Sequence, residues 1–347
     1  MVRVTPPRPL DITSVFPELA GLSATAVRLH PRPGKPTEWD SSVGGPILWP
    51  PDEPWPTCQL DHGPFDQVEI SSPADIRETR RLLEAAASAH RSLTEQEQDE
   101  LEDNLEDHRA RSCDSPDELE FPLLPLLQIH APDVPWLEMP HGAELLQVLW
   151  CPLLHDQTDS PSNGVGAPWI SVRFHLDIDP LTLFTPPAPQ LIEYDWFVPE
   201  PCALHPEPVT EYPQPAALDR GLAQRVEQWE RDEYGSAEGV GTYERVFATA
   251  PGWKLGGPPQ SSFGDERAAI LCVCGAPMRY LCTVPSCEWD AGTVSWAPIE
   301  DVGLTEVRPG ERRASEPTCV RVGDSQRLRI FVCPADRDHP VRSDIVV

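Results

Sequence analysis

Proline occupies 43 of the chain's 347 positions, more than double the usual share of about 5%. Each proline fixes φ and removes a backbone donor, which disfavours long helices and favours short strands joined by turns. One stretch escapes this rule. Residues 74–112, `ADIRETRRLLEAAASAHRSLTEQEQDELEDNLEDHRARS`, contain neither proline nor glycine and are rich in Leu, Ala, Glu and Arg, which predicts one or two helices. Leu82, Leu83, Ala86 and Ala87 give them one apolar face, and Leu101 and Leu105 a thinner one. The segment reads as a solvated helical arm packed by that stripe. A further helix is signalled over residues 216–235, where Leu218, Leu222, Val226 and Trp229 recur at helical spacing before Gly235.

Outside these helices the sequence repeats itself. `VGGPILWP` and `KLGGPP` are the same Gly-Gly-Pro turn after an aliphatic residue; `PLLPLLQIHA` is echoed by `PMRYLCTVPS`, and `ELLQVLWCP` by `LRIFVCPAD`, each of the last two ending in Cys-Pro. The spacings differ because the first copy carries an acidic insert at about residues 61–120 and the second a polar loop at 300–318. The expectation is an α+β protein, β-rich, with mostly antiparallel sheets from a duplicated strand unit and a few peripheral helices. The halves fall at residues 1–165 and 166–347, with Val148 and Phe331 as counterparts. Two more strands are read from alternation: residues 169–179 (`WISVRFHLDID`), whose polar face carries His175, Asp177 and Asp179, and residues 190–198 (`QLIEYDWFV`).

Charge narrows the function. Against 27 basic side chains stand 56 acidic ones, a net charge of −29. A field of that sign repels phosphate backbones and anionic membrane surfaces, which argues against nucleic-acid and membrane partners. Only Lys35 and Lys254 are lysines, a usage that reads as coding bias and that excludes a P-loop. The opening `MVRVTPPRPLDITSVFPELAG` lacks the apolar core of a signal sequence, so a cytoplasmic location is expected. None of the motifs G-x-S-x-G, H-E-x-x-H or G-x-G-x-x-G after a strand is present.

Ten cysteines in such a chain point to buried thiols or a metal site rather than a disulfide framework. `ILCVCGAPMRYLC` and `FVCPADRDHP` offer Cys272, Cys274, Cys333 and His339 as a tetrahedral N/S set for a structural zinc. The Cys-x-Cys spacing is tighter than the Cys-x-x-Cys that usually turns two thiolates toward one ion.

Taken together, `VGGPILWP`, `PLLPLLQIHA`, `ELLQVLWCP`, `KLGGPP`, `CVCGAPMRYLCTVPSCEWD` and `FVCPADRDHP` resemble the YwqG-like family of bacterial proteins, from about Gly44 onward. The resemblance implies a β-rich α+β cytosolic protein, with some relatives among toxin and immunity genes. It carries over no functional residue, and Cys272-Val273-Cys274 departs from the family's more usual Cys-x-x-Cys. Two functional classes follow. One is a non-enzymatic binding protein, of the kind that neutralises a basic toxin, with Trp49, Trp55 and Trp289 as aromatic anchors. The other is an enzyme with its site in the cleft between the halves, lined by Gln128, Gln147 or the Asp177 and Asp179 face.

Overall fold

The computed structural model describes residues 3–58, 60, 72–110, 121–155, 168–189, 191–235, 241–259, 270–304 and 312–346, with the backbone alone for 103–110. Its strands are β1 (Ala24–Arg28), β2 (Arg32–Pro33), β3 (Ser42–Val43), β4 (Ile47–Trp49), β5 (Leu124–His130), β6 (Leu145–Leu154), β7 (Pro168–His175) and β8 (Thr182–Phe184). They continue with β9 (Cys202–Ala203), β10 (Glu207–Glu211), β11 (Lys254–Gly256), β12 (Arg279–Pro285), β13 (Arg327–Val332) and β14 (Arg342–Val346). All described pairings are antiparallel.

Two six-stranded sheets carry the fold, in the orders β2-β9-β3-β5-β6-β7 and β10-β1-β11-β12-β13-β14, and β4 and β8 form a separate pair. Reading β1, β2, β3, β5, β6 and β7 as one unit, and β9 to β14 as another, turns the first order into the second. Each unit therefore gives its first strand to the sheet of the other. The registers agree residue by residue. Ser42 faces Gln128 as Lys254 faces Thr283, and Gln128 faces Gln147 as Thr283 faces Arg329. Even the bulge recurs, between Pro125 and Leu127 and between Tyr280 and Cys282. By this register the counterpart of Val148 is Ile330, one residue from the expected Phe331, which matches Leu149 instead.

The Gly-Gly-Pro turns follow β3 and close β11. Gly44 and Gly256 adopt φ of 60° and 63°, a left-handed conformation that costs glycine little. A side chain at Gly44 would also strike the Pro199 carbonyl at 2.8 Å. Apolar residues from both sheets meet in one core, among them Val43, Leu127, Val148 and Trp150 from one and Leu255, Val284, Leu328 and Ile330 from the other.

The insert replaces a tight turn. Cys58 donates its amide to Phe121 and Leu123 to Pro56, as Cys272 does to Ala276 and Met278 to Ile270. Residues 59–120 thus stand where Val273, Cys274 and Gly275 stand in the second unit. After a one-turn helix α1 (Ile12–Val15) near the start of the chain, the insert contains α2 (Pro73–Ser88), started by a Ser72–Asp75 capping box, and α3 (Glu95–Ala110). The arm is docked more firmly than its solvated reading implies: Ile76 enters the main core, Leu82 and Ala86 are buried, and Leu83 is exposed. Arg77 and Arg80 donate to the Pro199 and Val198 carbonyls. A third long helix, Arg220–Tyr234, is capped by Asp219 and ends at Gly235, packing Leu222 and Val226 as its spacing predicts.

Two strand expectations change. β7 stops at His175, so Asp177 and Asp179 lie in a turn, where Asp177 Oδ1 accepts from the Asp179 amide, and Leu176 is exposed. Residues 190–198 form no strand in their described part. Asp195–Phe197 is a short 3₁₀ turn, held by stacking of Tyr194 on Trp196 and by Trp150 Nε1 donating to the Phe197 carbonyl. Of the 300–318 loop, residues 305–311 lie outside the described ones. No helix among the described residues is long and apolar enough to cross a membrane.

Candidate metal centre

The hairpin over residues 270–278 bends at Gly275. Cys272 donates its amide to Ala276, and its carbonyl accepts from Gly275, whose φ of 84° lets the chain reverse. This curvature does what a second spacer residue does in Cys-x-x-Cys: it brings Cys272 and Cys274 to the same side. Cys333 follows β13, and the chain then turns back through Pro334 to His339.

These four residues converge, with their ligand atoms all within 4.8 Å of one another. Cys274 Sγ lies 3.6 Å from Cys333 Sγ; His339 Nδ1 lies 3.3 Å from Cys333 Sγ and 3.6 Å from Cys272 Sγ. A tetrahedral ion with metal–sulfur bonds near 2.3 Å has sulfur–sulfur edges of about 3.8 Å, so the set has the size of such a site. The residues fit a metal in other ways too. Backbone amides of Ala335 and Asp336 donate to Cys333 Sγ, which favours its thiolate. The Cys274 amide donates to Cys272 Sγ, but burial and the neighbouring Cys333 and Cys274 thiols outweigh it and push Cys272 up. His339 holds the Cys333 thiol down, to about 6, and Cys333 in turn raises His339. On the far side of the imidazole, Asp336 Oδ2 stands 3.8 Å from Nε2, the place of the carboxylate that orients a metal-bound histidine.

His339 also lines a cleft of about 760 Å³ between β7 and residues 337–341. Its walls include Arg173, His175, Asp177, Arg337 and Asp338. Gln128 and Gln147 lie behind this wall, both buried. Gln147 Nε2 donates to Gln128 Oε1 and to the Leu48 carbonyl, while Gln128 Oε1 accepts the Leu48 amide. Gln147 Oε1 then meets His175 Nε2 at 2.8 Å. Burial lowers His175 to about 4, so at neutral pH its ring is uncharged, with Nε2 protonated by this contact and Nδ1 an acceptor.

The remaining candidates are placed otherwise. Trp49 and Trp55 pack against each other in a core of their own, and their indoles donate to the Glu53 and Leu123 carbonyls. Neither presents a face to a partner in this structure. Trp289 is mostly buried but reaches a larger cleft, about 910 Å³, with Trp196, Arg80, Arg312 and Arg321, which is lined by Cys287 and Cys319 and by none of the four candidate ligands. Trp39 and Trp136 are the well-exposed tryptophans among the described residues, and nothing in their sequence context marks them. Asp336 was also missed, although its place three residues before His339 is a signal; His175 reads from sequence as part of a polar strand face, and its bond to Gln147 shows only in the structure. In comparison with known proteins, no family model matches the chain and no curated protein matches it.

Proposed function

We propose that the chain is a non-catalytic binding protein in which a structural zinc, held by Cys272, Cys274, Cys333 and His339, shapes a cleft for a basic protein partner. The carrying observation is the closed ligand set: four protein donors at tetrahedral separations leave no open position on the ion, as in structural rather than catalytic zinc sites. The zinc ties the hairpin before β12 to the segment after β13. Its histidine loop then forms one wall of the 760 Å³ cleft. A net charge of −29 favours a cationic partner by long-range attraction, and a toxin neutralised by this protein is one such partner.

The test has two parts. Purified, untagged protein is assayed for metal, and its partner is sought by low-salt co-purification from the host with mass spectrometry. Stoichiometric zinc, and a basic partner lost from an Asp177→Arg/Arg337→Glu variant, support the reading. Metal-free protein after zinc dialysis, or a partner retained by that variant, removes it.

One observation favours a second reading, an enzyme with its site in the same cleft. The Gln128–Gln147–His175 chain fixes the tautomer of a neutral histidine at the wall, an arrangement that general-base chemistry requires. Turnover of any compound in an activity screen, abolished by His175→Ala with zinc retained, selects it over the first.

A further inference from the structure

We propose that Cys58, Cys151 and His155 form a second metal site, a Cys2His set for zinc(II), distinct from the Cys3His centre. Their ligand atoms lie within 4.8 Å of one another, with Cys58 Sγ 3.6 Å from His155 Nε2, and all three residues are buried.

The position of these residues in the fold supports the assignment independently of their distances. Cys58 corresponds to Cys272: Thr57 bridges Pro122 as Leu271 bridges Pro277, and the next amide donates to Phe121 in one unit and Ala276 in the other. Cys151 corresponds to Cys333, each four residues beyond the partner of Gln128 or Thr283 and each followed by proline. His155 follows Cys151 and His339 follows Cys333 within a few residues, each within 4.8 Å of the cysteines of its own set. The repeated strand unit thus gathers cysteine and histidine at the same place twice, and nothing in strand packing requires that.

The two sets differ in one ligand, and the difference suits their surroundings. Leu60 stands two residues after Cys58, where the other unit has Cys274 after Cys272. Three thiolates and a neutral histidine leave a zinc site one charge negative, and there Cys274 is exposed. Two thiolates and a neutral histidine leave zinc with no net charge. That is what a buried site among Trp55, Phe121, Leu123, Leu153 and Leu191 tolerates. Copper(I) in the same set carries net negative charge and fits worse. Three protein donors leave one tetrahedral position for a further ligand.

The deciding experiment is zinc stoichiometry of the reduced, full-length chain after dialysis against zinc and removal of excess. Wild type is expected to hold two equivalents, and Cys333→Ser one, which is lost when His155→Gln is added. Because the last variant is conservative and Cys151 is untouched, loss of metal with a retained melting transition reports ligation rather than unfolding. Should the double variant fail to fold, cobalt(II) titration of Cys333→Ser gives the second readout: thiolate charge-transfer absorption is expected at one equivalent. A Cys333→Ser protein that binds neither zinc nor cobalt overturns the proposal. So does non-reducing peptide mapping that finds Cys58 and Cys151 joined in a disulfide, since neither thiolate would then be free to ligate. The Cys3His centre can fail without affecting this outcome, since then the wild type holds one zinc that Cys333→Ser retains.

Discussion

Lys254 Nζ lies 2.9 Å from both carboxylate oxygens of Glu211, and neither side chain meets solvent. Lys254 is on β11 and Glu211 ends β10, so the pair reaches across β1, which lies between them. Burial pushes Glu211 up and Lys254 down, each toward its neutral form. The two-point contact and the Ala250 amide, 2.7 Å from Glu211 Oε1, hold the ionised pair together. The space is tight as well, since a side chain at Gly257 would lie 2.4 Å from Glu211 Oε2.

From this follows a prediction about two variants. Lys254→Met leaves Glu211 buried without its cation and is expected to cost about 3–5 kcal/mol. Adding Glu211→Leu removes the stranded carboxylate and should recover most of the loss, because an apolar pair of similar volume is tolerated in such places. Urea unfolding midpoints at unchanged slope measure both. A single variant as stable as wild type contradicts the assignment of the pair.

Much of this architecture is legible in the sequence, and the failures have physical causes. The Gly-Gly-Pro turns are readable because left-handed backbone at Gly44 and Gly256 restricts those sites to glycine. Cys272, Cys274, Cys333 and His339 are readable because few other roles gather such donors, although the Gly275 turn that reconciles the short spacer shows only in the structure. The exchange of first strands is a long-range event with a local trace that the sequence reading passed over: Leu-His-Pro-x-Pro recurs at residues 29–33 and 204–208. Residues 190–198 alternate like a strand, but Tyr194 and Trp196 stack on each other instead of facing a sheet. Trp49 and Trp55 show that aromatic side chains suit cores and interfaces equally, so composition alone does not separate the two. Lysine scarcity concealed that Lys254 is a structural cation.

Beyond the four ligands, Asp336 should matter to the metal. Its carboxylate faces His339 Nε2 at 3.8 Å, and its Oδ1 accepts from the Asp338 amide within the same loop. Asp336→Ala is expected to weaken zinc binding about 10–100-fold, the usual cost of losing the partner of a metal-bound histidine. Competition against a chelating dye measures it. Cys287→Ser, outside the four-residue set, serves as the control and should leave affinity unchanged.

The acidic insert should be dispensable for folding. Replacing residues 59–120 with Val-Cys-Gly, as at residues 273–275, joins strand ends already paired in the same register. A shorter closed loop costs less entropy. The chain loses the burial of Ile76, about 2 kcal/mol; buried Leu82 and Ala86 leave with the arm, Glu200 keeps Arg312 but loses Arg80, and the Val198 and Pro199 carbonyls exchange Arg80 and Arg77 for water. A single cooperative melt at somewhat lower temperature is the expected result. A broad or absent transition would show that α2 is part of the obligatory core.

Acid should destabilise the protein through His30. The side chain is fully buried, with Nε2 3.0 Å from Glu207 Oε2 and Nδ1 3.9 Å from Glu288 Oε2. Desolvation lowers its pKa to about 4, against the opposing hydrogen bond to Glu207 and with help from Arg28. Between about 4 and 6.5 the folded ring is therefore neutral while the unfolded one takes a proton, so the unfolded state binds more protons. Stability from this group is complete above about pH 6.5, falls as pH drops, and is exhausted near 4. A shift of that size corresponds to a loss on the order of 3 kcal/mol. His175, lowered to about 4 by burial, acts in the same direction over the same window. Metal ligands also compete for protons in this range, so the measurement belongs in a Cys333→Ser/His155→Gln background. There, urea midpoints at pH 7, 5.5 and 4.5 should decline steeply with His30 present and more gently with His30→Gln. Parallel declines in the two proteins would mean that His30 is already protonated in the fold, paired with Glu207 as an ion.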